Sequence, residues 1–144
     1  MLRAILLLCV LLLAPACQAG PATVSLDING HAVTAELAIT QAEQERGLMY
    51  RKALPTDHGM LFVFEVPDRY SMWMENTTLP LAVAFIGRDG VILNIEEMQP
   101  LTRDHHTAAG DVWYALEMNA GWFAKNGIKP GDKVHGLEQA ARRR

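Results

Sequence analysis

Residues 20–138 of this 144-residue chain predict one mainly β domain, an antiparallel β-sandwich or barrel with two short helices. Three observations predict it. Apolar side chains recur at every second residue in several short runs, such as "HAVTAELAIT" and "VWYALEMN". Turn chemistry separates those runs, above all at Asn29-Gly30. The two helical stretches do not alternate with strands as βαβ units would.

The first segment stands apart from the fold. In "MLRAILLLCVLLLAPACQAG" one positive charge, Arg3, precedes an apolar run from Ala4 to Ala14, followed by small residues and Pro15. That run is well short of the roughly 20 apolar residues a membrane-spanning helix needs, and it fits the h-region of a secretory signal peptide. Residues 1–19 are therefore read as a signal peptide cut near 16–19, which predicts export to the periplasm or the exterior. Cys17 offers a lipid anchor as the alternative, the only membrane association expected, although Ala14 stands where a lipoprotein would carry a bulky aliphatic residue. Cys9 and Cys17 both fall within or beside this segment, so the remaining domain has no thiol pair and must be held by its core.

In "TVSLDINGHAVTAELAIT", Asn29-Gly30 supplies the positive φ values of a two-residue hairpin turn. Val33, Ala35, Leu37 and Ile39 then share one strand face, and Thr34 and Glu36 the other. Thr40 followed by Glu43 has capping-box spacing, which predicts a short helix through "QAEQER". "RKALPTDHG" is turn chemistry, and the continuous apolar run Met60–Val66 predicts a strand covered on both faces.

Tyr70–Glu75 is read as a strand, with Tyr70, Met72 and Met74 on one side and Ser71, Trp73 and Glu75 on the other. "LAVAFIG" and "VILNIEEM", joined by Arg88-Asp89-Gly90, form a second hairpin, with Val91, Leu93 and Ile95 alternating. "QPLTRDHHTAAGD" is a long loop. In "VWYALEMN" Val112, Tyr114, Leu116 and Met118 face one way and Trp113, Ala115 and Glu117 the other. A short helix in "AGWFAKNG" ends at Gly127, "IKPGDKVHGL" is a turn with a last strand, and 139–144 is a charged tail.

Charge and composition narrow the function. The chain has 13 Lys+Arg against 16 Asp+Glu; without Arg3 this becomes 12 against 16, a net −4, and such mild acidity argues against a nucleic-acid partner. No G-x-S-x-G occurs, and Glu96-Glu97 are consecutive strand residues that face opposite ways, so no catalytic constellation is identified. His58, His105 and His106 lack zinc-ligand spacing, and no metal or cofactor is expected there. Thioethers are soft Cu(I) ligands, so a copper-binding role for Met49, Met60, Met72, Met74, Met98 and Met118 is an alternative, with methionine as core filler the simpler account.

What remains is a polar constellation of Arg46, Arg51, Asn76, Thr77 and Glu117, joined by Trp73. Glu117 among apolar strand neighbours needs a partner, and an arginine fork is the natural one, whether as a structural tie or in a ligand site.

"ERGLMYR" (45–51), "GMLFVF" (59–64), "MWMENTTLPL" (72–81), "LEMNAG" (116–121) and "IKPGDKV" (128–134) together resemble the bacterial and archaeal family called domain of unknown function 192. The resemblance spans roughly residues 24–137 in the family's order. It implies a sandwich or jelly-roll fold, frequent export and no established activity. Its characteristic polar and aromatic positions fall on Arg46, Arg51, Trp73, Asn76, Thr77 and Glu117, and other marked positions on Gly47, Met49, Gly59, Met60 and Met74. After "LPL" the family usually has an aspartate, where this chain has Ala82. The expectation is thus an exported monomer or weak oligomer that binds a small molecule or a protein through a pocket near "MWMENT" and "LEM"; an enzyme using Glu117 as base with Arg51 beside it is the remaining alternative.

Overall fold

The structure, a computed structural model, describes residues 20–143; the segment 1–19 read as a signal peptide, with Cys17, and Arg144, lie outside the described residues. In chain order the elements are β1 (Thr23–Ile28), β2 (His31–Ala38), α1 (Gln41–Arg46), β3 (His58–Asp68), β4 (Ser71–Met72), β5 (Leu81–Ile86), β6 (Ile92–Met98), β7 (His106–Thr107), β8 (Val112–Asn119), α2 (Trp122–Lys125), β9 (Val134–His135) and α3 (Leu137–Ala141). Seven strands form one sheet in the order β6-β5-β8-β3-β2-β1-β9, curled into a half-barrel, while β4 and β7 pair separately.

The mainly β reading holds, with 44% strand and 12% helix. Asn29 (φ 53) and Gly30 (φ 83) take the positive angles the first hairpin requires. One pair departs from the antiparallel rule: β2 and β3 run parallel, Thr34 opposite His58. Parallel neighbours need a crossover of a dozen or more residues, and α1 with the turn-rich 47–57 segment supplies it. The capping box forms as expected: Thr40 Oγ1 accepts from Glu43 N and Glu43 Oε2 accepts from Thr40 N. Among the described residues there are three short helices rather than two, because the chain beyond Gly136 turns into α3 and buries Leu137 and Ala140.

Two apolar clusters occupy the two faces of the sheet. Leu61, Val63, Ala84, Leu116 and Met118 belong to the first, with Trp122 and Phe123 of α2 and Leu137 of α3. Met60, Phe62, Phe64, Val83, Phe85 and Ala115 belong to the second, with Leu48 and Met74 from the loops. Residues 59–64 of β3 are buried throughout, which accounts for its unbroken apolar run.

Strict alternation fails at three places. Phe85 pairs with Asn94 but Ile86 with Ile92, so Leu93 is the extra residue of a bulge and packs on the second cluster, away from Ile95 on the first. A register shift between Val63 and Asp68 puts Val112 in the second cluster while Trp113 packs on the first, where the Arg88 guanidinium lies 5.4 Å from its ring centre. Trp113 therefore does not share Glu117's face as alternation implied. The third place is β4, whose pairing ends at Met72.

Candidate functional site

The site is built around β8. Glu117 sits in the middle of the sheet, opposite Met60 on β3 and Val83 on β5, both buried in the second cluster. It is 5% exposed, and among the described residues its carboxyl takes part in no hydrogen bond or ion pair. Burial alone pushes the carboxyl from 4.5 up to about 8, because a charge there would lie among apolar neighbours with no compensating partner. At neutral pH it is a protonated acid.

α1 forms the roof above it. The helix ends at Gly47 (φ 47), where a side chain's first carbon would come within 3.3 Å of the Phe62 ring, so a bare glycine lets the helix end lie close against β3. Gln44 fixes the other end, its Nε2 donating to Ile39 O at 3.1 Å and Val63 O at 2.9 Å.

The wall comes from the 72–78 segment. β4 stops at Met72, Met74 N donates to Thr102 O (3.1 Å), Thr77 N donates to Met74 O (3.2 Å), and Asn76 takes a left-handed φ of 53. The chain therefore twists instead of continuing as a strand. The strand reading of 70–75 kept Trp73 apart from Met72; the turn brings both to one cleft.

That cleft, about 30 Å³, is lined by Arg46, Phe62, Met72, Trp73, Thr77 and Glu117 among others. A water needs at least ~10–15 Å³ on this measure, so the corner holds a group of very few atoms. Beside it lies a wider groove of about 250 Å³ that shares Gln44, Phe62, Met72 and Trp73 and adds Phe64 and Tyr70, whose rings stack 3.6 Å apart. Trp73 is 43% exposed at the mouth and stacks on His105 at 6.2 Å.

Of the six residues singled out by sequence, Arg46, Trp73, Thr77 and Glu117 line this cleft. Arg51 does not reach Glu117. Its guanidinium forms a fork on Glu36, 2.9 Å from Oε1 and 2.5 Å from Oε2, and this hydrogen bonding raises its pKa. The expected Arg51–Glu117 tie is thus replaced by an Arg51–Glu36 tie between the crossover loop and β2. Asn76 contributes backbone, its carbonyl accepting from Tyr50 N at 3.0 Å.

Two further left-handed residues flank the wall, Tyr50 (φ 63) and Leu101 (φ 62), both exposed. A bulky side chain at positive φ is strained, and each conformation is clipped to the turn, Tyr50 N to Asn76 O and Leu101 N to Thr77 O at 3.1 Å.

Sequence reasoning missed Gln44, Phe62 and Met72 as lining residues. Phe62 read only as core, Met72 as core or as one of the thioethers of the copper alternative, and Gln44 carried no signal beyond its place in a helix. The methionines mostly fill the core: Met60, Met74 and Met98 in the second cluster and Met118 in the first. Met72 lies opposite His106, whose Nε2 is buried without a partner among the described residues. Ala82 is buried in the first cluster, on the face of the sheet away from Glu117, so the departure there does not touch the cleft.

Among known proteins, the family model described as "DUF192: Uncharacterized ACR" matches residues 24–136. A crystal structure of a candidate transcription regulator from Sinorhizobium meliloti 1021 is similar at 37% identity and a TM-score of 0.79, over 83% of this chain and 98% of that one. A protein of unknown function from Novosphingobium aromaticivorans DSM 12444 is similar at 39% identity and a TM-score of 0.78, over 85% and 89% of the two chains. None of the curated proteins matches. From β1 to the end of β9, this chain belongs to the domain of unknown function 192 family.

Proposed function

We propose that this protein is an exported binding domain that takes a small molecule into the cleft between α1, the 72–78 turn and β8. The observation that carries the reading is Glu117. Buried polar groups are nearly always satisfied by a partner, and one left alone at the end of a cleft with an aromatic mouth is satisfied by whatever enters. A core that needed only packing would hold an apolar residue at this position, at no cost in desolvation.

Binding is tested by NMR titration of the 15N-labelled protein with a library of small aromatic and aliphatic fragments. Compounds that bind are expected to shift the Trp73 indole and the amides of residues 44–49 and 115–118, and Glu117→Leu is expected to lose those shifts while remaining folded. Shifts clustered instead at the groove between Arg88 and Glu138 would place the binding site elsewhere.

Export rests on the N-terminal segment, with its single Arg3 and its apolar run to Ala14. Intact mass of the protein recovered from its own cells is expected to lack 16–19 N-terminal residues; a full-length mass in the cytoplasmic fraction ends that part of the reading. The description of the Sinorhizobium relative as a regulator does not favour nucleic acid here, because this chain is acidic overall, −3 by formal charge.

A further inference from the structure

Resting on the binding reading above, we infer that the cleft selects a neutral molecule ending in an amide-type group, a carbonyl beside an N–H, carried on an apolar or aromatic body. The corner at Glu117 presents one O–H donor and one carbonyl acceptor side by side. Thr77 adds a second acceptor: its hydroxyl donates to Glu75 O at 3.1 Å, which leaves the oxygen's lone pairs for another donor. A carboxamide matches this set, since its carbonyl accepts from the acid O–H while its N–H groups reach the acid carbonyl and Thr77 Oγ1. Its three heavy atoms also suit a corner of about 30 Å³.

The body of such a molecule would lie along Phe62, Met72 and Trp73 into the groove of about 250 Å³, large enough for one ring. An ammonium ligand would require a buried ion pair, in which both partners lose their water. A carboxylate ligand would leave the floor with two acids competing for one proton. Met60 and Val83, which flank Glu117 on the sheet, carry no charge, and on α1 the Arg46 cation is accompanied by the Glu45 anion, so the lining supplies no net charge to offset either. The charged and titratable groups facing the corner are Glu45 and Arg46 on α1, with His105 beyond Trp73 and His106 opposite Met72.

The test compares benzamide, benzylamine and benzoate, which share a ring and differ in charge, by NMR titration at about pH 6.5 and about pH 9.5. Benzamide is expected to bind tightest and to weaken about tenfold or more at the higher pH, as Glu117 ionises and its O–H donor is lost. Glu117→Gln, a neutral side chain with the same donor and acceptor pattern, is expected to keep the binding and lose the pH dependence. Glu45→Gln and His105→Asn are expected to keep the pH dependence.

If benzylamine or benzoate binds tighter than benzamide, or if the pH profile follows Glu45 or His105, the amide class is wrong and the pocket reading survives. If natively folded Glu117→Gln loses benzamide, the class is likewise wrong. If none of the three compounds shifts the cleft, both readings fall. The pH profile of the unaltered protein decides the matter even if the glutamine variant does not fold.

Discussion

Raising the pH from about 5 to about 8 is expected to lower the unfolding free energy of this protein by on the order of 3–4 kcal/mol through Glu117 alone. Unfolded, this carboxyl titrates near 4.5; folded, burial holds its proton up to about 8. Between those values the native state keeps a proton that the unfolded state has released, so the unfolded state gains on every step toward alkali. The contribution is complete below 4.5, is lost as pH rises to about 8, and is constant above. Glu43 has the opposite sign: backbone N–H groups of Thr40 and Ile39 hold its pKa down, so its share is lost only in acid, below the Glu117 window. Urea midpoints measured across this range should fall steeply in the unaltered protein and run flat in Glu117→Gln. Parallel profiles would mean that the carboxyl is solvated or paired in solution.

Gly59→Ala is expected to cost about 3 kcal/mol, a large effect for one methyl group. Gly59 pairs with Met118 across β3 and β8, and an added side-chain carbon would meet the Glu117 carbonyl oxygen and, at 2.5 Å, the Met118 sulfur. The sulfur can rotate away. The carbonyl belongs to the sheet backbone and cannot, so the strands must part at the residue that carries the buried acid. Urea unfolding should show the loss with an unchanged slope, and adding Met118→Ala should not restore stability. Rescue by that second change would assign the clash to the sulfur. Because the displaced backbone is Glu117's own, the same variant should also lose benzamide binding.

Much of the fold was legible because its signals are local. The Asn29-Gly30 turn, the Thr40/Glu43 capping box and the two β-hairpins each depend on residues within one or two turns of chain. The parallel β2–β3 pair was not, since no side chain between Ala38 and His58 says which way the returning strand will run. Face assignments failed where tertiary contacts override the pleat. The bulges at Leu93 and beyond Val63 each change which residues face a given side, and the bonds from Met74 N to Thr102 O and from Tyr50 N to Asn76 O bend what reads as a strand into a turn. The site shows the same division. Glu117, Trp73, Thr77 and Arg46 stood out by residue type, whereas the partner of Arg51 was set by the crossover, which brings Arg51 to Glu36 on β2 while residues 47–49 of the same loop line the cleft with Glu117.

The strand order has a consequence for biosynthesis. β8 lies between β3 and β5 yet is made after both, so each of them waits with one edge bare until residues 112–119 have emerged. No earlier fragment can complete the sheet. A chain of this topology keeps its sheet in two parts until β8 has been made, and the strand that joins those parts is the one that carries the acid into the interior.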